Sequence, residues 1–397
     1  MKTIFRHIQG DRAIWAVAAL LAVFSFLPVY SASSNLAYLY GDGNTLKFLI
    51  KHFAHLLLGF AILYGVHKIP YHYFRGLSII ALPIVVILLL ITLSQGTTIE
   101  GANASRWIRI PFVGVTFQTS SLAGVVLMVY VARYLSRIKD KTITFKETLL
   151  PLWTPVFLVL ALILPANFST TAIIFSMVLV LVFIGGYPLR YLALILLCGV
   201  VGLGLFYGFA KITNISSLAV KVQTWENRVK NFFDAEDTEA DYQIEKAKIA
   251  IASGGVVGLG PGKSVQKNFL PQSSSDFIYA VIVEEFGMAG ALLLLLLYLL
   301  LLFRLVIVVH KSTSLFGKLL VVGVGIPIIF QAMINMGVAV ELFPVTGQTL
   351  PLISSGGTSV WMTCLALGMI LSVSAKREVA LKEEKEENPL DILSEAL

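Results

Sequence analysis

The residues with chemical potential gather in one stretch. Gly254 to Gly287 reads GGVVGLGPGKSVQKNFLPQSSSDFIYAVIVEEFG. It joins glycine-rich backbone, two lysines (Lys263 and Lys267) and one acid (Asp276), set just before a long apolar run. A flexible, charged segment that ends in one carboxylate suggests chemistry on an anionic group. At a bilayer surface this set suits a lipid-anchored anionic substrate. Two further acids, Glu284 and Glu285, fall about two turns into the apolar run. Acids at such depth are costly and mark a functional position by default. The plainer reading is a helix end whose charges reach back to water.

The remainder of the chain must position these groups within a membrane. Of 397 residues, 57% are hydrophobic and only 13% charged, and mean hydropathy is +0.84. Soluble domains are nearer half apolar and a quarter charged. Apolar runs of about 20 residues recur, the length a helix needs to cross hydrocarbon. Open sheets cannot span because their edges would stay unpaired in lipid, and the runs lack the alternation of a membrane barrel. The fold class expected is all-α, a polytopic membrane protein with ten transmembrane helices. They fall at roughly 13–32, 47–66, 75–94, 117–136, 150–166, 169–186, 190–210, 277–303, 318–340 and 355–375. The N-terminal MKTIFRHIQGDR precedes a span and not a cleavage site, so it does not read as a signal peptide. Cys198 and Cys364 both sit inside apolar runs and imply neither a metal site nor a disulfide framework.

Lysine and arginine set the orientation. Arg6, Arg12, Lys68, Arg75, Arg133, Arg137, Arg190, Arg304, Lys311, Lys318 and Arg377 all fall on one face if ten spans alternate. That face is expected to be cytoplasmic, with both termini on it. The net charge of +7 follows largely from this bias and does not point to nucleic acid. A single membrane domain over 1–375 then carries a large outward loop, 211–276, between helices 7 and 8. A charged cytoplasmic tail, 376–397, follows. In the loop, Leu218, Val222, Trp225, Val229 and Phe232 recur at helical spacing, as in a helix lying on the membrane surface. An acidic stretch, Asp234 to Asp241, follows, and Tyr242 to Ser253 can form a second helix ended by Gly254-Gly255.

Two other outward loops stand out. GANASRWIRIPFVGVTFQ (101–118) holds Arg106, Trp107 and Arg109. An arginine beside tryptophan is a common interfacial anchor, and it also matches a pyrophosphate bidentately. ELFPVTGQTLPLISSGGTSV (341–360) is irregular and survives near a membrane only where protein or a wet cavity shields it. It is expected to line a cavity beside the Asp276 loop. Weaker signals drop out. Gly262-Lys263-Ser264 lacks the glycine five residues earlier that a P-loop needs, since that position is Val257. His52 and His55 share a helical face without a third metal ligand.

Four blocks together carry a resemblance. Tyr30-Ser31-Ala32-Ser33, Arg106-Trp107-Ile108 with Phe117-Gln118, Gly254 to Gly287, and Asn335 to Ser359 resemble motifs of the SEDS family (shape, elongation, division and sporulation). The likeness covers nearly the whole chain. The stretch Gly262 to Lys267 is more similar to the division branch than to the elongation branch. There are departures. Gly124 replaces a family lysine and Asn167 a family acid. Pro271-Gln272-Ser273-Ser274-Ser275-Asp276 loses a glutamate and, at Ser274, a histidine, but keeps the aspartate.

The resemblance implies an inverting peptidoglycan glycosyltransferase acting on lipid II, with undecaprenyl pyrophosphate as leaving group and a β-1,4 product. It implies Asp276 as general base. A free aspartate titrates at about 3.9, and partial burial is expected to raise this. Expected substrate contacts are Arg106, Arg109, Lys263, Gln266, Lys267, Glu285 and Ser354. The resemblance implies no definite cofactor. A divalent cation, magnesium or manganese, is one way to share the pyrophosphate charge, although one carboxylate is too few to fix a metal site. Implied partners are a class B penicillin-binding protein and other division proteins, at the division site of a bacterial cytoplasmic membrane. Two other classes remain open: a lipid II flippase, and a non-catalytic division scaffold.

Overall fold

The computed structural model describes residues 8–40, 44–95, 98–99, 102–103, 106–109, 116–139, 144–212, 226, 239–270 and 272–386. Among these, nine helical segments are long and apolar enough to cross a membrane. They are α1 (Arg12–Tyr40), α2 (Thr45–His67), α3 (His72–Gln95) and α4 (Thr119–Ile138), then a composite of α5 (Phe145–Thr148), a π turn (Leu149–Trp153) and α6 (Thr154–Ile163). A shorter apolar helix of 17 residues, α7 (Phe168–Ile184), comes next. It meets only the lower limit for a span. The remaining long helices are α8 (Leu189–Ile212), α10 (Ile278–Lys311), α11 (Leu315–Ala339) and α12 (Gly357–Glu386). Between α8 and α10 lies the more polar α9 (Glu239–Gly254). It matches the helix expected before Gly254-Gly255. The amphipathic stripe from Leu218 to Phe232 and most of the acidic stretch lie outside the described residues.

The structure departs from a purely helical reading in 98–118. There β1 (Thr98–Ile99) pairs with β2 (Ala102–Asn103), and β3 (Trp107–Arg109) pairs with β4 (Thr116–Gln118), both antiparallel. Aromatic and β-branched residues favour the second ladder. The pairing also satisfies backbone groups that irregular chain near lipid would leave exposed.

α11 and α12 form the centre. In their most apolar windows 67% and 78% of residues are buried, against 6% in α8, which leaves α8 at the periphery. Small residues allow the central contacts: a Cβ on Gly59 of α2 would come within 3.0 Å of Cys364 Sγ and Val360 Cγ1 on α12. Without a hydrophobic drive between helices in lipid, such close backbone approach supplies much of the cohesion. Trp153, Tyr298 and Phe277 are among the largest fully buried side chains, and Tyr298 donates its hydroxyl proton to Pro351 O at 2.5 Å. His52 and His55 serve packing. His52 Nε2 lies 2.8 Å from Ser25 Oγ, and His55 meets Trp361 edge-on at 5.4 Å.

Candidate active site

The glycine-rich stretch repairs a broken helix. Gly287 adopts φ 62° and ψ −162° inside α10, a conformation that L side chains rarely adopt. The break frees carbonyls behind it and N–H groups ahead of it. The loop from Gly254 to Gly260 supplies the partners. Leu259 N donates to Glu284 O and Gly260 N to Glu285 O, both at 2.9 Å. Beyond the break, Met288 N donates to Gly255 O at 2.9 Å and Ala289 N to Val256 O at 3.3 Å. A Cβ on Gly258 would sit 2.3 Å from Glu285 O, so this backbone-to-backbone contact requires glycine. The glycine-rich stretch thus serves to seal the helix.

Glu284 and Glu285 anchor the next part of the loop. Both are 1% exposed, which overturns the reading of charges reaching back to water. Glu284 accepts from Val265 N at 2.9 Å, from Gln266 N at 3.3 Å and from the Ser264 hydroxyl. Glu285 accepts from the Ser31 hydroxyl of α1 and from Ser264 N at 3.4 Å. Backbone and hydroxyl donors take the place of water around these carboxylates. Glu285, expected among substrate contacts, is therefore placed to hold the loop. Lys267 Nζ donates to Ser31 Oγ at 2.9 Å and to Gly262 O at 2.8 Å. Lys263 is exposed and Gln266 is half-buried.

Asp276 closes the turn that leads into α10. Its N–H donates to Gln272 O at 3.1 Å. Its carbonyl accepts from Asn335 Nδ2 at 2.8 Å, and the same Nδ2 donates to Gln348 O at 2.7 Å. Ser354 Oγ donates to Ser275 O at 2.6 Å and accepts from Leu350 N at 2.7 Å. Ser355 N donates to Ser274 O at 2.9 Å. The backbone of 274–276 is thus tied to α11 and to the 341–356 loop, while the Asp276 side chain stays half-exposed. Its Oδ2 lies 3.5 Å from where a Cβ on Gly347 would be. Ser354 is 1% exposed, and its hydroxyl positions the turn.

The 101–118 segment joins from the other side. Arg106 Nε donates to Ala166 O at 2.8 Å. Asn167 caps α7 by accepting from Thr170 N at 3.2 Å, and Gln348 Nε2 donates to Thr170 Oγ1 at 3.2 Å. Gln118 N donates to Thr358 Oγ1 at 3.2 Å. Arg109 ends β3, but its side chain lies outside the described residues. These contacts frame a cleft with about 140 Å³ of water-accessible space, lined by the polar Gln118, Ser120, Thr170 and Gln348 and by the apolar Met128, Ile174 and Ile328, with Gly347 at its edge. Ser120 also borders a smaller cavity with Arg106 and Asn167. Among the described residues, no group of three or more His, Cys, Asp or Glu is placed to hold a metal ion.

Four stretches far apart in sequence therefore meet: the end of α1, 106–118, 254–287 and 335–359. A profile of the FtsW, RodA and SpoVE proteins, described as "Cell cycle protein", matches residues 11–379. The chain belongs to this family. Its curated relatives include proteins named "Probable peptidoglycan glycosyltransferase FtsW" from Nitrosococcus halophilus and Geobacter sulfurreducens. The first is 31% identical over 92% of this chain and 92% of its own. The second is 31% identical over 92% of this chain and 95% of its own. Among solved structures, one described as "Structural coordination of polymerization and crosslinking by a peptidoglycan synthase complex" superposes with a TM-score of 0.71 at 25% identity, over 93% of this chain and 98% of that one. Thermus thermophilus rod shape determining protein RodA superposes with a TM-score of 0.64 at 24% identity, over 93% of this chain and 97% of that one.

The geometry also accounts for two departures from the family pattern. Asn167, in the place of an acid, retains the oxygen that caps α7. Gly124 leaves a space that Ile174 Cδ1 borders at 3.5 Å from the absent Cβ. Sequence reading did not assign roles to Ser31, Asn335, Gln348 or Thr358. A signal was available for Asn335, because a carboxamide within an apolar helix is costly unless its hydrogen bonds are met.

Proposed function

We propose that this chain is a peptidoglycan glycosyltransferase that polymerises lipid II. The observation that carries the proposal is the half-buried Asp276 carboxylate, on a turn that Asn335 and Ser354 restrain, beside a cleft lined by both polar and apolar side chains. That the relatives are named for this activity supports it. Asp276 takes the proton from the 4-hydroxyl of the acceptor sugar as that oxygen attacks the anomeric carbon of the donor. The bond to undecaprenyl pyrophosphate breaks with inversion and gives a β-1,4 link. General-base assistance of this kind contributes on the order of 10²–10⁴ in rate. Arg106, Arg109, Lys263 and Lys267 are the cations proposed to stabilise the leaving pyrophosphate, with Gln266 as a neighbouring polar contact.

In this reading α7 completes ten spans, both termini are cytoplasmic and 211–276 faces outward. The protein acts in division with a class B penicillin-binding transpeptidase. The complex among its structural neighbours, described as coordinating polymerisation and crosslinking, supports such a partner. The break at Gly287 favours a second reading as a lipid II flippase, since discontinuous helices often form transport sites.

The test is polymerisation of labelled lipid II by the purified protein with its transpeptidase partner, wild type against Asp276→Ala. Long strands that vanish in a folded, partner-bound variant support the proposal. Equal strands from both remove Asp276 as the base. Absent strands in both, with translocation of lipid II in vesicles, establish the flippase.

A further inference from the structure

The end of the fold remote from Asp276 carries a second polar cavity. α10 runs 34 residues from Ile278 to Lys311, about 50 Å at 1.5 Å per residue. At its far end a cavity of about 500 Å³ opens between α1, α10 and α12, with Asp11, Arg12, Arg304, Ile307, Lys311 and Ser374 on its walls. The back wall is already satisfied. Arg304 Nε donates to Asp11 Oδ1 at 3.2 Å and Oδ2 at 3.1 Å. Asp11 Oδ1 also caps α1 through Ala13 N at 2.9 Å, and Asp11 N donates to Ser374 Oγ at 2.9 Å.

Arg12 and Lys311 differ from Arg304. Both are exposed, and among the described residues neither has an ion pair or hydrogen bond. Among the described residues the cavity therefore holds two cations without a counter-charge, beside the N-terminus of α1, whose dipole adds to the positive field. An apolar lane leads to it. On α10, Leu296 is 60% exposed, Leu300 43% and Phe303 60%. Ile307 and Lys311 continue the same helical face at spacings of three and four residues. Free phosphate would use the cations alone, whereas a phospholipid would use the cations and the lane together.

We infer that this cavity binds the headgroup of an anionic phospholipid, with Arg12 and Lys311 on the phosphate and an acyl chain along Leu300 and Phe303. Basic pockets between helices on the cytoplasmic side suit such headgroups, and the charge pattern assigns this end to that side. The inference does not depend on the polymerase reading.

The experiment is native mass spectrometry of the full chain, with phosphatidylglycerol competing against phosphatidylcholine. The expected result is a phosphatidylglycerol preference that falls roughly fivefold for each of Arg12→Gln and Lys311→Gln. Lys318→Gln, a basic residue outside the cavity, should leave it unchanged. Unfolding midpoints in neutral detergent check that each variant is folded. An unchanged preference in the folded double variant would overturn the inference. So would full displacement of the lipid by equimolar inorganic phosphate, which would mark a simple anion site. A third outcome would overturn it as well: no preference in the wild type, appearing once Glu383, Glu384, Glu386 and Glu387 are changed to Gln. The occupant would then be the chain's own acidic tail.

Discussion

Asp276 sits half-exposed on a turn, whereas Glu284 and Glu285, in the same stretch and inside α10, are each 1% exposed. Asp276 is held through its backbone, by Asn335 and by the turn to Gln272. Glu284 is held through its side chain, which accepts from Ser264, Val265 and Gln266. The difference separates two uses of a carboxylate near a membrane. One on a restrained turn beside a cleft is placed to reach a substrate. One whose oxygens are committed to backbone N–H groups and a buried hydroxyl can fix a loop, and its removal leaves those donors unsatisfied.

The largest effect that would test this contrast is on catalysis. Asp276→Asn should lower polymerisation by about 10²–10⁴-fold with an unchanged unfolding midpoint, read by strand synthesis and by unfolding in mixed micelles. Glu284→Ala should act on stability first, at a cost of about 2–4 kcal/mol in the same unfolding assay. Glu284→Gln retains an acceptor and should keep activity within a few-fold. A Glu284→Gln protein that is as stable as wild type yet as inactive as Asp276→Asn would break the comparison. Asn335→Ala strips a donor from the half-buried carbonyls of Asp276 and Gln348. It should lower turnover about tenfold and stability by about 1–2 kcal/mol, with the acceptor KM little changed. The smallest effect is expected from Ser354→Ala, a loss of about 1 kcal/mol and a modest fall in rate.

Much of this contrast was invisible in the sequence. Asp276 stood out because an acid just before an apolar run is conspicuous. Glu284 and Glu285 were conspicuous too, but their role depended on which way the side chains turned. A helix end reaching water and a helix end clamping a loop have the same local sequence. The glycines pose a related problem. Glycine-rich backbone suits a phosphate cradle and also suits close contact with another backbone, and only the break at Gly287 shows that the second use applies to Gly254 and Gly258. Lys267, one of the proposed leaving-group cations, also contacts Ser31, 236 positions away. The two short ladders in 98–118 escaped a helical reading because runs of two or three residues carry no usable period.

Sequence alone sets the membrane class and nearly all of the long helices. Transfer of apolar segments into lipid is a local property, summed along about 20 residues. The tertiary structure alone decided that the four stretches meet, that Asn335 and Ser354 hold the Asp276 turn, and that Glu285 faces Ser31. Those contacts depend on how helices pack side by side, and in lipid that packing is set by close steric fit and interhelical hydrogen bonds, which no local pattern encodes.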